Sequence, residues 1–204
     1  MLAAKVSAML GARDVRGATL AQPGALAAAV TPDALIYPLF MAGGWFTRRE
    51  LPRRLGLIGA EGAEILPPLG TDPGLPDLCL GLLQAAAERQ GWLLAATGLV
   101  ITGHGSGRSR APAQAVYDLA ERLLPHVGRL ACGFIEEPPL IEESARGFGP
   151  RALCLPFFAT AAEHVTQDMP RALAEAGFEG LVLPPVGLAP QVPAMIAHAI
   201  DRAG

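Results

Sequence analysis

Apolar residues along this chain fall into short runs, and most of those runs stop at a proline or a glycine. "ALIY" (34–37) ends at Pro38 and "ALCL" (152–155) ends at Pro156, a residue that cannot donate to a strand ladder. "GLVITG" (98–103) and "LACGFI" (130–135) are similar runs closed by glycine or by acidic residues. Runs this continuous are read as strands covered on both faces, which is the habit of parallel sheets. Between them lie stretches of helical period, such as "PAQAVYDLAERLLPHV" (112–127) and "VPAMIAHAID" (192–201). Each carries a proline near its start, where a missing N–H is harmless. The alternation predicts an α/β fold.

The pattern also repeats. "ALIYPLFMAGGWFTRRELPRRL" (34–55) set above "ALCLPFFATAAEHVTQDMPRAL" (152–173) matches Ala34, Leu35, Pro38, Phe40, Pro52, Arg53 and Leu55. After a one-residue gap, "LPPLGTDPGLP" (66–76) matches "LPPVGLAPQVP" (183–193) at both paired prolines, a glycine and two later prolines. Shared punctuation over such a length indicates a duplicated unit. The expected architecture is two similar halves, each a small parallel sheet flanked by helices, with the N-terminal half truncated. The boundary is placed in "AERQGW", giving an N-terminal half at 1–90 and a C-terminal half at 91–204. Ahead of Ala34 the first half has room only for a helix ("AAKVSAMLGAR") and a degenerate strand and turn ("GATLAQPG"). It has no counterpart of "VITGHGSG".

Composition narrows the class. Of 204 residues, 51% are hydrophobic and 17% charged, and the net charge of −3 argues against a nucleic-acid binder. Gly (24) and Pro (19) are frequent, but not at the level of a low-complexity chain. Cys79, Cys132 and Cys154 are odd in number and form no CxxC pair. They are read as reduced core residues rather than a disulfide frame. The N-terminus develops no secretory h-region, and no apolar stretch approaches the ~18 residues of a membrane span. The expectation is a cytoplasmic protein with neither membrane nor nucleic-acid partner.

Chemistry concentrates in the second half. Ligands of parallel sheets bind at the carboxyl ends of the strands, where the reading puts His104, the pair Glu136 and Glu137, and His164. Across the repeat Phe46 faces His164, and His104 has no counterpart at all. Two imidazoles and a carboxylate on one rim suit a divalent transition metal, and equally an acid–base pair. Gly103, Gly105 and Gly107 let the His104 loop approach a ligand closely. The helix start behind it and Ser106, Arg108, Ser109 and Arg110 supply donors for an anion. His126 is read as solvent-facing or capping, His198 as exposed or structural, Asp168 as a helix N-cap or else a residue on the metal's path, and Trp45 and Phe46 as core or as lining for a flat ligand. A phosphohistidine-type enzyme would need an arginine before the histidine, where Gly103 stands.

"VITGHGSGRSRAPAQAVYDLAERL", "FIEEPPL" and "LCLPFFATAAEHVTQDMP" together resemble the CbiX-type sirohydrochlorin chelatases, closely over about 98–200 and more loosely over 18–88. The resemblance implies a class II chelatase-like fold, with two halves enclosing a cleft. It also implies insertion of a divalent metal into sirohydrochlorin for cobalamin- or siroheme-type tetrapyrrole biosynthesis. The metal is substrate, Co2+ first with Fe2+ or Ni2+ as alternatives, and no organic cofactor is implied. His104 and His164 would be metal ligands or proton acceptors, with Glu136 the supporting carboxylate. Ser106, Arg108 and Arg110 would hold the substrate's carboxylates. Ala162 and Glu163 replace the family's usual glycines, and the shortened "FIEEPP" leaves open whether Glu136 or Glu137 faces the cleft. A non-catalytic tetrapyrrole or metal carrier is the rival reading. The sheet edge left by the truncated half predicts pairing into a homodimer.

Overall fold

A computed structural model describes residues 2–11 and 13–204. The chain opens with helix α1 (Leu2–Leu10) and a single turn α2 (Ala25–Ala29), followed by the short strand β1 (Leu35–Ile36), helix α3 (Leu51–Gly56), strand β2 (Glu64–Ile65) and the long helix α4 (Leu75–Arg89). The second part holds β3 (Gly98–Gly103), α5 (Ala111–Leu123), β4 (Arg129–Phe134), α6 (Ile141–Ser144), β5 (Ala152–Pro156), α7 (Met169–Glu175), β6 (Leu181–Val182) and α8 (Val192–Ala203). Two parallel sheets result: β1–β2, and a four-stranded sheet in the order β4–β3–β5–β6. The α/β reading is seen, and among the described residues the first half forms two strands where the second forms four.

The central strand explains the continuous apolar run. Leu99, Val100, Ile101 and Thr102 of β3 are all fully buried, because alternate residues feed two different cores. Leu99 and Ile101 join α5, α4 and α8 on one face; Val100 joins α6 and α7 on the other. Helix α4 turns Leu75, Cys79, Leu83 and Ala86 into the first of these cores, a stripe of helical period. The main core therefore takes residues from both sides of the boundary near Gly91, whose φ of 66° turns the chain out of α4. A smaller cluster under α3 gathers Leu51, Leu55 and Ala60 with Ile36 and Ile65. Burial pushes the Cys79 and Cys154 thiols up to about 12 and Cys132 to about 11, in keeping with inert core cysteines.

The repeat is geometric as well as textual. Gly70 donates its N–H to the Phe40 carbonyl at 3.0 Å, and Gly187 to the Phe158 carbonyl at 2.9 Å. A Cβ on Gly70 would lie 1.8 Å from the Met41 carbonyl oxygen, and one on Gly187 would lie 2.2 Å from that of Ala159. Both copies thus need glycine where two backbones touch. Each also enters its post-strand helix through a π-helical turn, Phe46–Glu50 before α3 and His164–Asp168 before α7. One expectation fails: "GATLAQPG" forms no strand. Turns at Leu20–Ala21 and at Pro23–Gly24 (φ 77° at Gly24) bend it, and among the described residues no neighbouring strand pairs with it.

Candidate metal centre

Three strand ends build the site. β3 stops at Gly103, whose missing side chain lets Val116 of α5 pack against it, and His104 follows. β4 continues past its last residue so that the Glu136 N–H donates to the His104 carbonyl at 3.0 Å, fixing these two residues side by side. β5 leads to the π-helical turn that begins at His164. Val165 and Met169, four apart, are buried in the second core, and Thr102 Oγ1 donates to the Met169 sulfur at 3.3 Å. The opposite face of that turn, His164 and Asp168, is thereby turned toward the rim.

The two imidazoles meet edge to face, with ring centroids 4.6 Å apart and planes at 82°. One potential ligand atom each from His104, Glu136 and His164 lies within 4.8 Å of the others. The three side chains are 40%, 48% and 43% exposed, so the cluster is open to an incoming ligand rather than sealed in the core. His104 Nδ1 lies 3.1 Å from the Gly105 carbonyl oxygen and 3.6 Å from Glu136 Oε2. The second distance is too long for a hydrogen bond, which leaves Glu136 free to accept a proton from elsewhere. His164 Nδ1 sits 2.8 Å from Asp168 Oδ2, and the other Asp168 oxygen takes Arg171 at 3.3 Å. With each Nδ1 occupied in this way, both rings can offer Nε2. Two borderline nitrogens and one oxygen make a donor set for a first-row divalent ion.

The CbiX family profile matches residues 98–203, which hold all three cluster residues. A solved structure described as CbiX, the terminal enzyme for biosynthesis of siroheme in denitrifying bacteria, is 62% identical, with a TM-score of 0.95 over 100% of this chain and 89% of that one. The chain belongs to the CbiX family. More distant structures share the fold. The multi-domain DR2241 of Deinococcus radiodurans is 19% identical, with a TM-score of 0.70 over 97% of this chain and 50% of its own length. SirB from Bacillus subtilis with Fe3+ is 12% identical, with a TM-score of 0.71 over 98% of this chain and 86% of that one. No curated protein sequence matches.

Around the cluster of this CbiX member, the FIEEPP ambiguity resolves in space. Glu136 joins the imidazoles, whereas Glu137 turns under the loop and accepts the Ser106 N–H through Oε1 at 2.7 Å. Gly105 (φ 69°) permits this, since a Cβ there would lie 2.9 Å from the Glu137 side chain. Ser106 Oγ accepts the Arg108 N–H, and Ser109 Oγ accepts the Ala111 N–H. Several donors of the loop are therefore already engaged within the chain. Arg108 and Arg110 are exposed and lie outside the three-residue cluster.

A cleft of about 750 Å3 opens between the start of α4 and the flank of α5, inside the ~300–1,000 Å3 range of small-molecule sites. Arg48, Asp72, Asp118, Arg122, His126 and Phe157 are among the residues that line it; the three metal-type ligands are not. Of the cleft's lining, Phe157 lies nearest in the chain to the strand ends that carry the cluster, and its N–H donates to the Thr102 carbonyl, two residues before His104, at 2.7 Å. Sequence reasoning missed Arg48 and Arg122. Arg48 had a signal, since it stands on the turn equivalent to that of His164; Arg122 looked like any exposed helix arginine. Trp45 and Phe46, at 60% and 48% exposure, are not core, and with Phe40 they form an aromatic group in front of α3. His126 and His198 are exposed, as expected. Asp168 is no N-cap: the π-helical turn already supplies helical backbone, and its carboxylate turns to His164 and Arg171 instead.

Proposed function

We propose that this protein inserts a divalent transition metal into a tetrapyrrole of the sirohydrochlorin type. The observation that carries the reading is the open His104–Glu136–His164 cluster, in a chain 62% identical to a protein described as the terminal enzyme for biosynthesis of siroheme. That description favours Fe2+ as the physiological substrate over Co2+, because siroheme is an iron macrocycle. The donor set itself suits either ion, and Ni2+ as well.

The chemistry follows from the groups present. His104 and His164 receive the aqueous cation on neutral nitrogens, which hold borderline ions firmly enough to orient them and loosely enough to release them. As the metal passes into the ring, two pyrrole protons must leave, and Glu136, exposed and unpaired by hydrogen bonding, takes one and hands it to solvent before it accepts the second. The macrocycle rests in the cleft, its rim carboxylates received by Arg48 and Arg122, neither of which forms an ion pair among the described residues. Ser106, Arg108 and Arg110 serve the part of the rim nearest the His104 loop. The halves at 1–90 and 91–204 then have separate tasks, the first walling the cleft and the second carrying the chemistry.

The decisive experiment mixes the protein with sirohydrochlorin and Fe2+, Co2+ or Ni2+ in turn under anaerobic conditions and follows the visible spectrum. Multiple turnovers above the uncatalysed rate support the chelatase. Binding that saturates at one equivalent without turnover establishes the carrier instead.

A further inference from the structure

Resting on that reading of the centre, we infer that Asp168 is a positioning residue for the His164 ligand. Asp168 Oδ2 lies 2.8 Å from His164 Nδ1. A carboxylate can only accept, so Nδ1 carries the proton and the lone pair of the neutral ring sits on Nε2, available to the cation. Asp168 is itself held, because Arg171 donates to Oδ1 at 3.3 Å. The chain Arg171–Asp168–His164 therefore fixes both the tautomer and the direction of one ligand.

The other copy shows what this arrangement replaced. The residue equivalent to Asp168 is Glu50, and that equivalent to Arg171 is Arg53. Arg53 binds both Glu50 oxygens at 2.9 Å, and Arg54 adds a third bond to Oε1 at 2.6 Å. Arg54 then extends to the Leu20 carbonyl. Both oxygens of that carboxylate are committed to guanidinium groups, and the residue before it in the pattern, Phe46, has no proton to donate. In the second copy position 172, the counterpart of Arg54, is alanine. Arg171 reaches only Oδ1 of the shorter aspartate, whereas Arg53 spans both oxygens of Glu50, and the imidazole of His164 takes the Oδ2 left over. A carboxylate serving only to brace the helix would keep the first pattern; this one has exchanged half its brace for a ligand.

The test uses the whole protein free of metal, with Co2+ alone as the probe. In the wild type, 15N-resolved NMR of the His164 ring shows Nδ1 protonated and Nε2 bare. Asp168→Asn and Asp168→Ala shift that signature and weaken Co2+ binding by about 10–100-fold, while circular dichroism stays unchanged. Asp168→Glu restores part of the affinity. An unchanged His164 tautomer and unchanged Co2+ affinity in both Asp168 variants overturn the positioning role. His164→Ala separates the two levels: if it too leaves Co2+ binding intact, the metal centre itself is misassigned. If it abolishes binding while the Asp168 variants do not, only the positioning role falls.

Discussion

The two copies share a scaffold and differ in what they place on it. Both have the strand that stops at proline, the π-helical turn, the helix entered through proline, and the glycine that brings two backbones into contact. In the second copy this frame is widened by β3 and β4, whose ends contribute His104 and Glu136; the first has only β1 and β2. The proposed metal centre draws on three adjacent strand ends, so a half with two strands among the described residues cannot build it whatever residue follows β1. What the first copy supplies instead is a wall: Arg48 in the cleft and the Trp45–Phe46–Phe40 aromatic group beside it.

The largest expected effect tests the division of labour directly. His104→Ala and His164→Ala should each lower metal insertion by at least a hundredfold, the scale on which positioned acid–base and ligand groups act. Melting temperature should stay close to that of the wild type, because both side chains are about 40% exposed. Either variant turning over at the wild-type rate removes that imidazole from the mechanism.

A smaller effect asks which arginines meet the substrate. Arg48→Ala should raise the KM for sirohydrochlorin about tenfold, the value of one charge-assisted hydrogen bond, with little change in kcat. Arg108→Ala should change it less, since that side chain lies outside the cleft. The reverse order in steady-state kinetics would return the anion-binding role to the His104 loop and make the first copy a bystander.

Much of this was legible in the chain. The repeat, the alternation of strand and helix, and the placing of His104 and His164 at strand ends follow from proline and glycine punctuation and from continuous apolar runs. What was not legible depends on side-chain direction. Glu136 and Glu137 are neighbours of one type in an irregular segment after β4, and only the packing of Gly105 over Glu137 decides which one turns away. Asp168 looked like an N-cap because the sequence does not announce a π-helical turn, which moves the start of helical backbone upstream of it. Arg48, on the turn before α3, and Arg122, on α5, meet in one cleft only through the tertiary packing of distant segments, which no local pattern encodes. The missing strand in "GATLAQPG" was over-read from symmetry: a strand needs a partner, and that half offers none there.

A stability experiment sharpens the comparison further. Hydrogen bonds from Arg53 and then Arg54 hold the Glu50 carboxyl down to about 2 from an ordinary 4.5. A depressed carboxylate stabilises the fold at pH above its unfolded value, and that contribution drains away as pH falls from about 4.5 to about 2. Glu50→Gln should therefore melt a few degrees lower than the wild type at pH 7, with the gap closing by pH 2. A gap that persisted unchanged at pH 2 would mean that Glu50 acts through packing and not through its two guanidinium partners.

The smallest effect expected is none, and it bears on the comparison most sharply. Phe46→His places an imidazole at the position equivalent to His164, on the same kind of π-helical turn, so mere equivalence of position predicts a second cation site. The geometry predicts otherwise. The strand ends that bring His104 and Glu136 to His164 have no counterpart beside β1, and the nearby carboxylate, Glu50, is clamped through both oxygens by Arg53 and Arg54. A lone imidazole with no second ligand binds a divalent ion too weakly to register beside a three-ligand centre. Calorimetric binding of Co2+ to Phe46→His should therefore still give one ion per chain with the wild-type affinity. A second equivalent of comparable strength would show that the turn, and not the convergence of three strand ends, makes the centre.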